Sequence, residues 1–319
     1  AFYLLAQRLL AGVASASVFV SGGLLAARLG ARTPSQSGLL LGIYYGGTGW
    51  GIVISALCVP AAMRLATADH LPHAWAWAWW CLAFFCALIS VVLFVIRSHL
   101  NRWMPELAPT LSEPQAEKDK GRREMNTAST AQPAWQVWAA GLMGYGLFGV
   151  GYIGYMTFVV AVLREQGASA PNITFFYALL GLAVVASSRV WAGLLNHYRG
   201  GQALAILNAL LSVATVIPAL TSAWPAMMVS GVLFGGVFLS VVASTTAMVK
   251  HNLPAEQWAT GISAFTVVFA IGQIVGPTVV GWIADGPGGL QRGLVFSAAS
   301  LLLGAVIAWQ QKPLAAQTS

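Results

Sequence analysis

Nine long apolar runs, unevenly divided, set the terms on which this chain can fold: three runs, a polar stretch over residues 98–134, then six more. The runs lie near 2–28, 38–62, 74–97, 135–163, 172–195, 201–221, 223–247, 260–284 and 288–309. A hydrocarbon layer about 30 Å thick is crossed by roughly 20 apolar residues in a helix, and only helices or closed barrels satisfy their own backbone there. The short alternating strands of a barrel are not seen in the sequence. With 58% hydrophobic and 8% charged residues, the chain has too little polar surface to coat a water-soluble globule. The expected fold class is an all-α polytopic membrane protein with nine transmembrane helices.

The net charge of +7 invites a nucleic-acid reading, but the basic residues alternate by side of the membrane instead. With the first span running inward, Arg28, Arg32, Arg97, Arg102, Lys118, Lys120, Arg122, Arg123, Arg199, Lys250 and Lys312 collect on the inner side. Only Arg64, Arg164 and Arg292 face outward, while Arg8 and Arg189 lie inside spans. The rule that cytoplasmic loops are basic therefore puts the amino end outside and the 98–134 linker and carboxyl end in the cytoplasm. Trp75, Trp77, Trp79 and Trp80 then sit where the third span enters, as an interfacial aromatic belt does. The linker, with Pro105, Pro109, Pro114 and Pro133 among mixed charges, reads as a tether and not a domain.

The last three runs echo the first three. Leu9-Leu10-Ala11-Gly12-Val13 aligns with Leu233-Phe234-Gly235-Gly236-Val237, and Gly38 and Gly49 fall on Gly261 and Gly272. Residues 1–97 thus mirror roughly 223–312, and nothing visible mirrors 135–222. Three spans ahead of Ala1 would restore two six-helix halves. The expected organisation is the last three helices of an amino-terminal bundle over 1–97, the linker over 98–134, and a six-helix carboxyl-terminal bundle over 135–319.

Local motifs carry a resemblance to the major facilitator superfamily, covering its fourth to twelfth helices. Arg8-Leu9-Leu10-Ala11-Gly12-Val13-Ala14-Ser15-Ala16 resembles the family's fourth-helix motif. Gly231-Val232-Leu233-Phe234-Gly235-Gly236 and Gly272-Gln273-Ile274-Val275-Gly276-Pro277 add to it. Gly193-Leu194-Leu195-Asn196-His197-Tyr198-Arg199-Gly200 resembles the loop motif Gly-x-Leu-x-Asp-x-x-Gly, with His197 in place of the Asp. The glycine-rich second span and the Trp-Ala-Gly turn look like the YbfB/YjiJ-like bacterial branch. The resemblance implies a secondary active transporter in a bacterial inner membrane. It would move a small organic solute by alternating access, coupled to protons, with no cofactor, no nucleic acid and no obligate protein partner.

Arg8 is the foremost candidate for transport coupling, beside Gly12. A charged side chain in mid-span costs about 2.5–3.5 kcal/mol on insertion scales and marks a pathway or finds a partner. No Asp or Glu occurs in any of the nine runs, so the partner is sought upstream, or Arg8 snorkels outward. Arg189, about two turns from the inner surface, reads first as a snorkelling cation and second as a coupling or gating residue. Gly42, Gly46, Gly47 and Gly51 in the second span and Gly272, Gly276 and Pro277 in the eighth make small faces for close helix packing, static or rocking. Gly193 and Gly200 bound the loop motif.

Tyr145, Tyr152 and Tyr155 fall within an arc of about 80° on the fourth run, with Phe148 among them. Their hydroxyls need water, substrate or another span, so this face is either a cavity wall or a packing stripe, and the resemblance favours the cavity. Gln273 and Ser15 are further cavity candidates.

Enzymatic and metal readings find no support. Cys58, Cys81 and Cys86 lie in spans with no Cys-x-x-Cys, and His70-x-x-His73 beside Asp69 is too common a spacing to hold a metal by itself. No phosphate-binding glycine loop appears. The rival reading from another class is a non-transporting membrane receptor or scaffold derived from a transporter, which the lack of carboxylates within the runs supports. With a half-bundle to cover one side of the cavity, residues 1–319 alone are expected not to transport.

Overall fold

The protein is described by a computed structural model over residues 2–71, 73–103, 134–286 and 288–314. Nine long helices run through it: α1 Phe2–Arg32, α2 Ser37–Ala68, α3 Ala74–Trp103, α4 Ala139–Glu165, α5 Ala170–Val190, α6 Gln202–Leu220, α7 Trp224–Asn252, α8 Trp258–Ala284 and α9 Gly289–Trp309. Among the described residues, nine helices are long and apolar enough to cross a membrane. The sequence places every span; the differences are at the ends. Both α1 and α2 overrun the expected boundaries, α3 continues to Trp103, and the fifth run breaks into α5 and a short helix Ala192–His197. Most of the linker, residues 104–133, lies outside the described residues.

Two compact units emerge: residues 1–56 with 138–319, and residues 57–137. The smaller unit holds the end of α2 and all of α3, whose Trp75, Trp77, Trp79 and Trp80 are exposed. Cys58 and Cys81 are half-buried free thiols there and Cys86 is an exposed one.

In the larger unit α7 is the central helix, with every side chain from Val237 to Val249 buried. The stretch carries no charge and, apart from Ser240, Ser244, Thr245 and Thr246, is apolar all round, as a helix in such a position must be. Around it, α7 packs on α5 and α6, α6 on α9, α9 on α4, and α4 on α8, while α1 lies against α8 and α7. Hydrophobic collapse gives no help between helices in lipid, so close contact between small residues must hold them. Glycine makes those contacts. A Cβ at Gly149 would come 2.7 Å from the Phe269 carbonyl, one at Gly272 would come 2.5 Å from that of Gly146, and one at Gly144 would come 2.8 Å from that of Gly304.

Several hydroxyls inside spans are satisfied by their own helices. Ser17, Ser90, Thr215, Ser244 and Thr266 each donate to a carbonyl three or four residues earlier. That keeps a polar side chain bonded where no water reaches. At one end of the unit, Gln311 knits the helix starts: its Oε1 accepts from Gly141 N–H at 3.0 Å and its carbonyl from Gly201 N–H at 2.9 Å.

Because the clash at Gly272 is with backbone, Gly272→Ala is expected to destabilise the protein by roughly 1–3 kcal/mol. Gly47 is exposed and a Cβ there meets nothing within 4 Å, so Gly47→Ala is expected to be neutral or stabilising. Thermal unfolding of both variants in detergent checks the contrast.

Candidate functional site

The tyrosine face of α4 is the organising feature. Tyr145, Phe148 and Tyr152 stack in a column, with ring centroids 5.4 Å and 4.8 Å apart, and Phe269 of α8 stacks against all three. Phe265 closes one end edge-on against Tyr145, and Phe238 of α7 lies parallel to Tyr152 at 6.2 Å. Tyr155 stacks on Phe234 at 4.0 Å. All three tyrosines are buried.

Their hydroxyls bind other helices. Ser230 Oγ donates to the Ala214 carbonyl at 2.7 Å, so its lone pairs accept the Tyr155 hydroxyl proton at 2.8 Å. Three helices, α4, α7 and α6, meet at that chain. Tyr152 accepts a hydrogen bond from Gln273 Nε2, which joins two of the sequence candidates across α4 and α8. Tyr45 of α2, which the sequence reading did not single out, is buried and shares a 2.8 Å hydrogen bond with Thr246 of α7.

The faces of α2 and α5 meet backbone to backbone. A Cβ at Gly42 would lie 2.7 Å from Ser188, one at Gly46 would lie 3.3 Å from the Val184 carbonyl, and one at Gly49 would lie 2.5 Å from that of Gly181. Gly47 and Gly51 point into open space. At the amino end of α2 this seam is closed by polar contacts. Asn196 Oδ1 accepts from Gly38 N–H at 2.7 Å, Asn196 Nδ2 donates to the Ser35 carbonyl at 3.2 Å, and Lys250 Nζ donates to Ser37 Oγ. Asn252 extends the set, donating to the Arg199 carbonyl and accepting from Leu314 N–H, both at 2.7 Å.

The loop motif therefore acts through Asn196, while His197, at its Asp position, is exposed and packs edge-on against Tyr198. Gly200 is buried beneath the Gln311 carbonyl and Gly193 is open. Gly276 packs on α4, where a Cβ would come 2.6 Å from the Val150 carbonyl, and Pro277 follows inside α8. Arg8, Gly12 and Ser15 lie on the exposed first half of α1, apart from the tyrosine column, and Arg189 is exposed in the last turn of α5. Asn196 was legible only as a filler position in the motif. The Lys250 contact with Ser37 joins residues 213 apart and left no local signal.

The family described as "Uncharacterised MFS-type transporter YbfB" matches residues 1–309. A protein of Agrobacterium vitis described as a putative tartrate transporter is 26% identical over 151 residues, 46% of this chain and 34% of that protein. The chain thus spans about a third of that relative's length. Among solved structures, the major facilitator superfamily transporter FucP in its outward conformation matches with a TM-score of 0.58 at 12% identity, over 87% of this chain and 69% of that one.

The Tyr155, Ser230 and Ala214 chain makes a stability test. In a double-mutant cycle of Tyr155→Phe and Ser230→Ala, the coupling is expected at about 0.6 kcal/mol and at most ~1.7 kcal/mol. Unfolding of the four proteins in detergent measures it.

Proposed function

The chain belongs to the MFS-type transporter family of YbfB, and from that premise we propose that it is a proton-coupled secondary transporter moving a small organic solute by alternating access. In this reading it supplies three helices of one bundle and six of the other in a twelve-helix protein of a bacterial inner membrane, with linker and carboxyl end cytoplasmic. The observation that carries the reading is the α2–α5 seam. Two helices meet along small residues from Gly42 to Gly49, a surface on which one can roll over the other, and the polar contacts that tie α2 lie in its amino-terminal part, at Ser37, Gly38 and Tyr45. Hydrogen bonds of this kind each contribute about 1 kcal/mol, enough to bias two states without locking either.

Within this frame Arg8 and Gly12 are the coupling positions, and Tyr145, Tyr152, Tyr155, Gln273 and Ser15 line the path once the bundles part. The aromatic column with its single amide suits a hydroxylated solute that stacks and hydrogen-bonds. Because one relative is described as a putative tartrate transporter, small hydroxylated organic acids are the first solutes to assay.

The test is proton movement in proteoliposomes holding the full-length protein, with a panel of such acids and of sugars. A solute that drives proton entry supports the reading, and Arg8→Ala is expected to abolish that coupled movement. Coupled transport undiminished in Arg8→Ala would remove Arg8 from the mechanism. No response to any solute would favour the receptor or scaffold instead. Asn196→Ala is expected to raise labelling of a cysteine at Leu40 by an impermeant thiol reagent from the cytoplasmic side several-fold, because it frees both Gly38 and Ser35.

A further inference from the structure

One groove lies outside the path just described. It runs between α5 and α7, has a volume of about 560 Å³, and is walled by Ala183, Ala186, Val190 and Trp191 on one side and Val232 and Gly236 on the other. Apart from Trp191, its walls belong to helices long and apolar enough to cross a membrane, where hydrocarbon is the expected medium. Val190 is 64% exposed and Val232 is 40% exposed, and a Cβ at Gly236 would meet nothing within 4 Å, which leaves the α7 wall flat and open.

The two polar side chains of the wall are already used. Ser187 Oγ donates to the Val184 carbonyl at 2.6 Å and Trp191 Nε1 donates to the Gly236 carbonyl at 2.6 Å. An occupant finds no side-chain hydrogen-bond donor left to meet it. The groove accepts a chain of methylenes and rejects a polar solute.

Arg189 precedes the wall residues Val190 and Trp191 in the last turn of α5 and is exposed. It follows the wall residue Ala186 by three positions, a spacing that makes helical residues neighbours, so its stem starts at the edge of the groove. A guanidinium on a long stem at a helix end reaches the headgroup level, and tryptophan concentrates at the same level. Phosphate is the group a guanidinium grips best there.

We infer that the α5–α7 groove with Arg189 is a binding site for one anionic phospholipid, an acyl chain lying along the groove and the phosphate on Arg189. This stands whatever the protein transports, since it uses none of the residues assigned to the path except Arg189, whose second reading as a coupling residue it replaces. The lipid would brace α5 against α7 on the side away from the α2 seam.

Native mass spectrometry of the full-length protein, delipidated in detergent and titrated with phosphatidylglycerol or phosphatidylcholine, tests the site. For the tightest-bound lipid, one positive charge at the surface predicts roughly a five-fold preference for phosphatidylglycerol. Arg189→Gln, an exposed change, is expected to equalise the two lipids while keeping one bound. Ala186→Trp, which fills the groove, is expected to lose that lipid of either kind. The inference is overturned by equal affinities in the unaltered protein, by a preference that survives Arg189→Gln, or by an undiminished lipid in Ala186→Trp. A dimer that Ala186→Trp dissociates would also overturn it, by assigning the groove to a second copy of the chain.

Discussion

The close approach of α4 to α8 is the contact on which the rest of the larger unit depends. Gly149 under the Phe269 carbonyl and Gly272 under that of Gly146 bring the two backbones together with no side chain between them. Only at that distance can Phe269 stack on three α4 rings at once, and only then does Gln273, the residue after Gly272, reach Tyr152. Lipid offers no driving force comparable to the hydrophobic effect in water, so van der Waals contact of this quality must supply the cohesion. The opposite side of α4 repeats the device, with Gly144 against Gly304 and Gly151 against the Ser297 carbonyl. A helix held on both sides by glycine becomes a fixed post, and the aromatic column stands on it.

Polar groups divide into two populations with different consequences. Hydroxyls that bond their own helix, such as Ser244 and Thr266, tolerate sliding because the bond moves with the helix. Bonds between helices do not. Tyr45 with Thr246, Asn196 with Gly38, and Lys250 with Ser37 all tie α2 to the carboxyl-terminal helices, and all lie in the amino-terminal part of α2. From Gly49 to Ala56, where the larger unit ends, no bond of that kind is found among the described residues of α2. A stretch tied in its first turns and smooth through Gly46 and Gly49 is suited to pivot, the motion that the proposed mechanism asks of it.

The spans and the family were legible because length, apolarity and glycine spacing are local properties. Arg8-x-x-x-Gly12 and the loop from Gly193 to Gly200 carried the resemblance with no knowledge of contacts. What could not be read was which motif residue carries the bond. The replacement of Asp by His197 drew attention to the side chain that turns outward, while Asn196 beside it holds Gly38. The period of the helix separated Gly42 and Gly46 from Gly47 and Gly51 no better, since both pairs have the same spacing and only the partner decides which face is used. Tyr45 and Lys250 were missed for the same reason: their partners are 201 and 213 residues away.

The tyrosine face admitted two readings, a cavity wall and a packing stripe, and burial alone does not choose between them. Bond type separates its members. Tyr155 is enclosed, stacked on Phe234 and bonded to Ser230, which is itself bonded to a backbone carbonyl, and parting it from α7 would strand the Tyr155 hydroxyl without a partner. Tyr152 is bonded to one half-buried amide on α8, and that amide can turn to a solute hydroxyl at little cost. The same face can therefore be scaffold at Tyr155 and path at Tyr152. If the bundles part and uncover this face, Tyr152 and Gln273, which both belong to the carboxyl-terminal bundle, are the pair whose mutual bond a solute can replace.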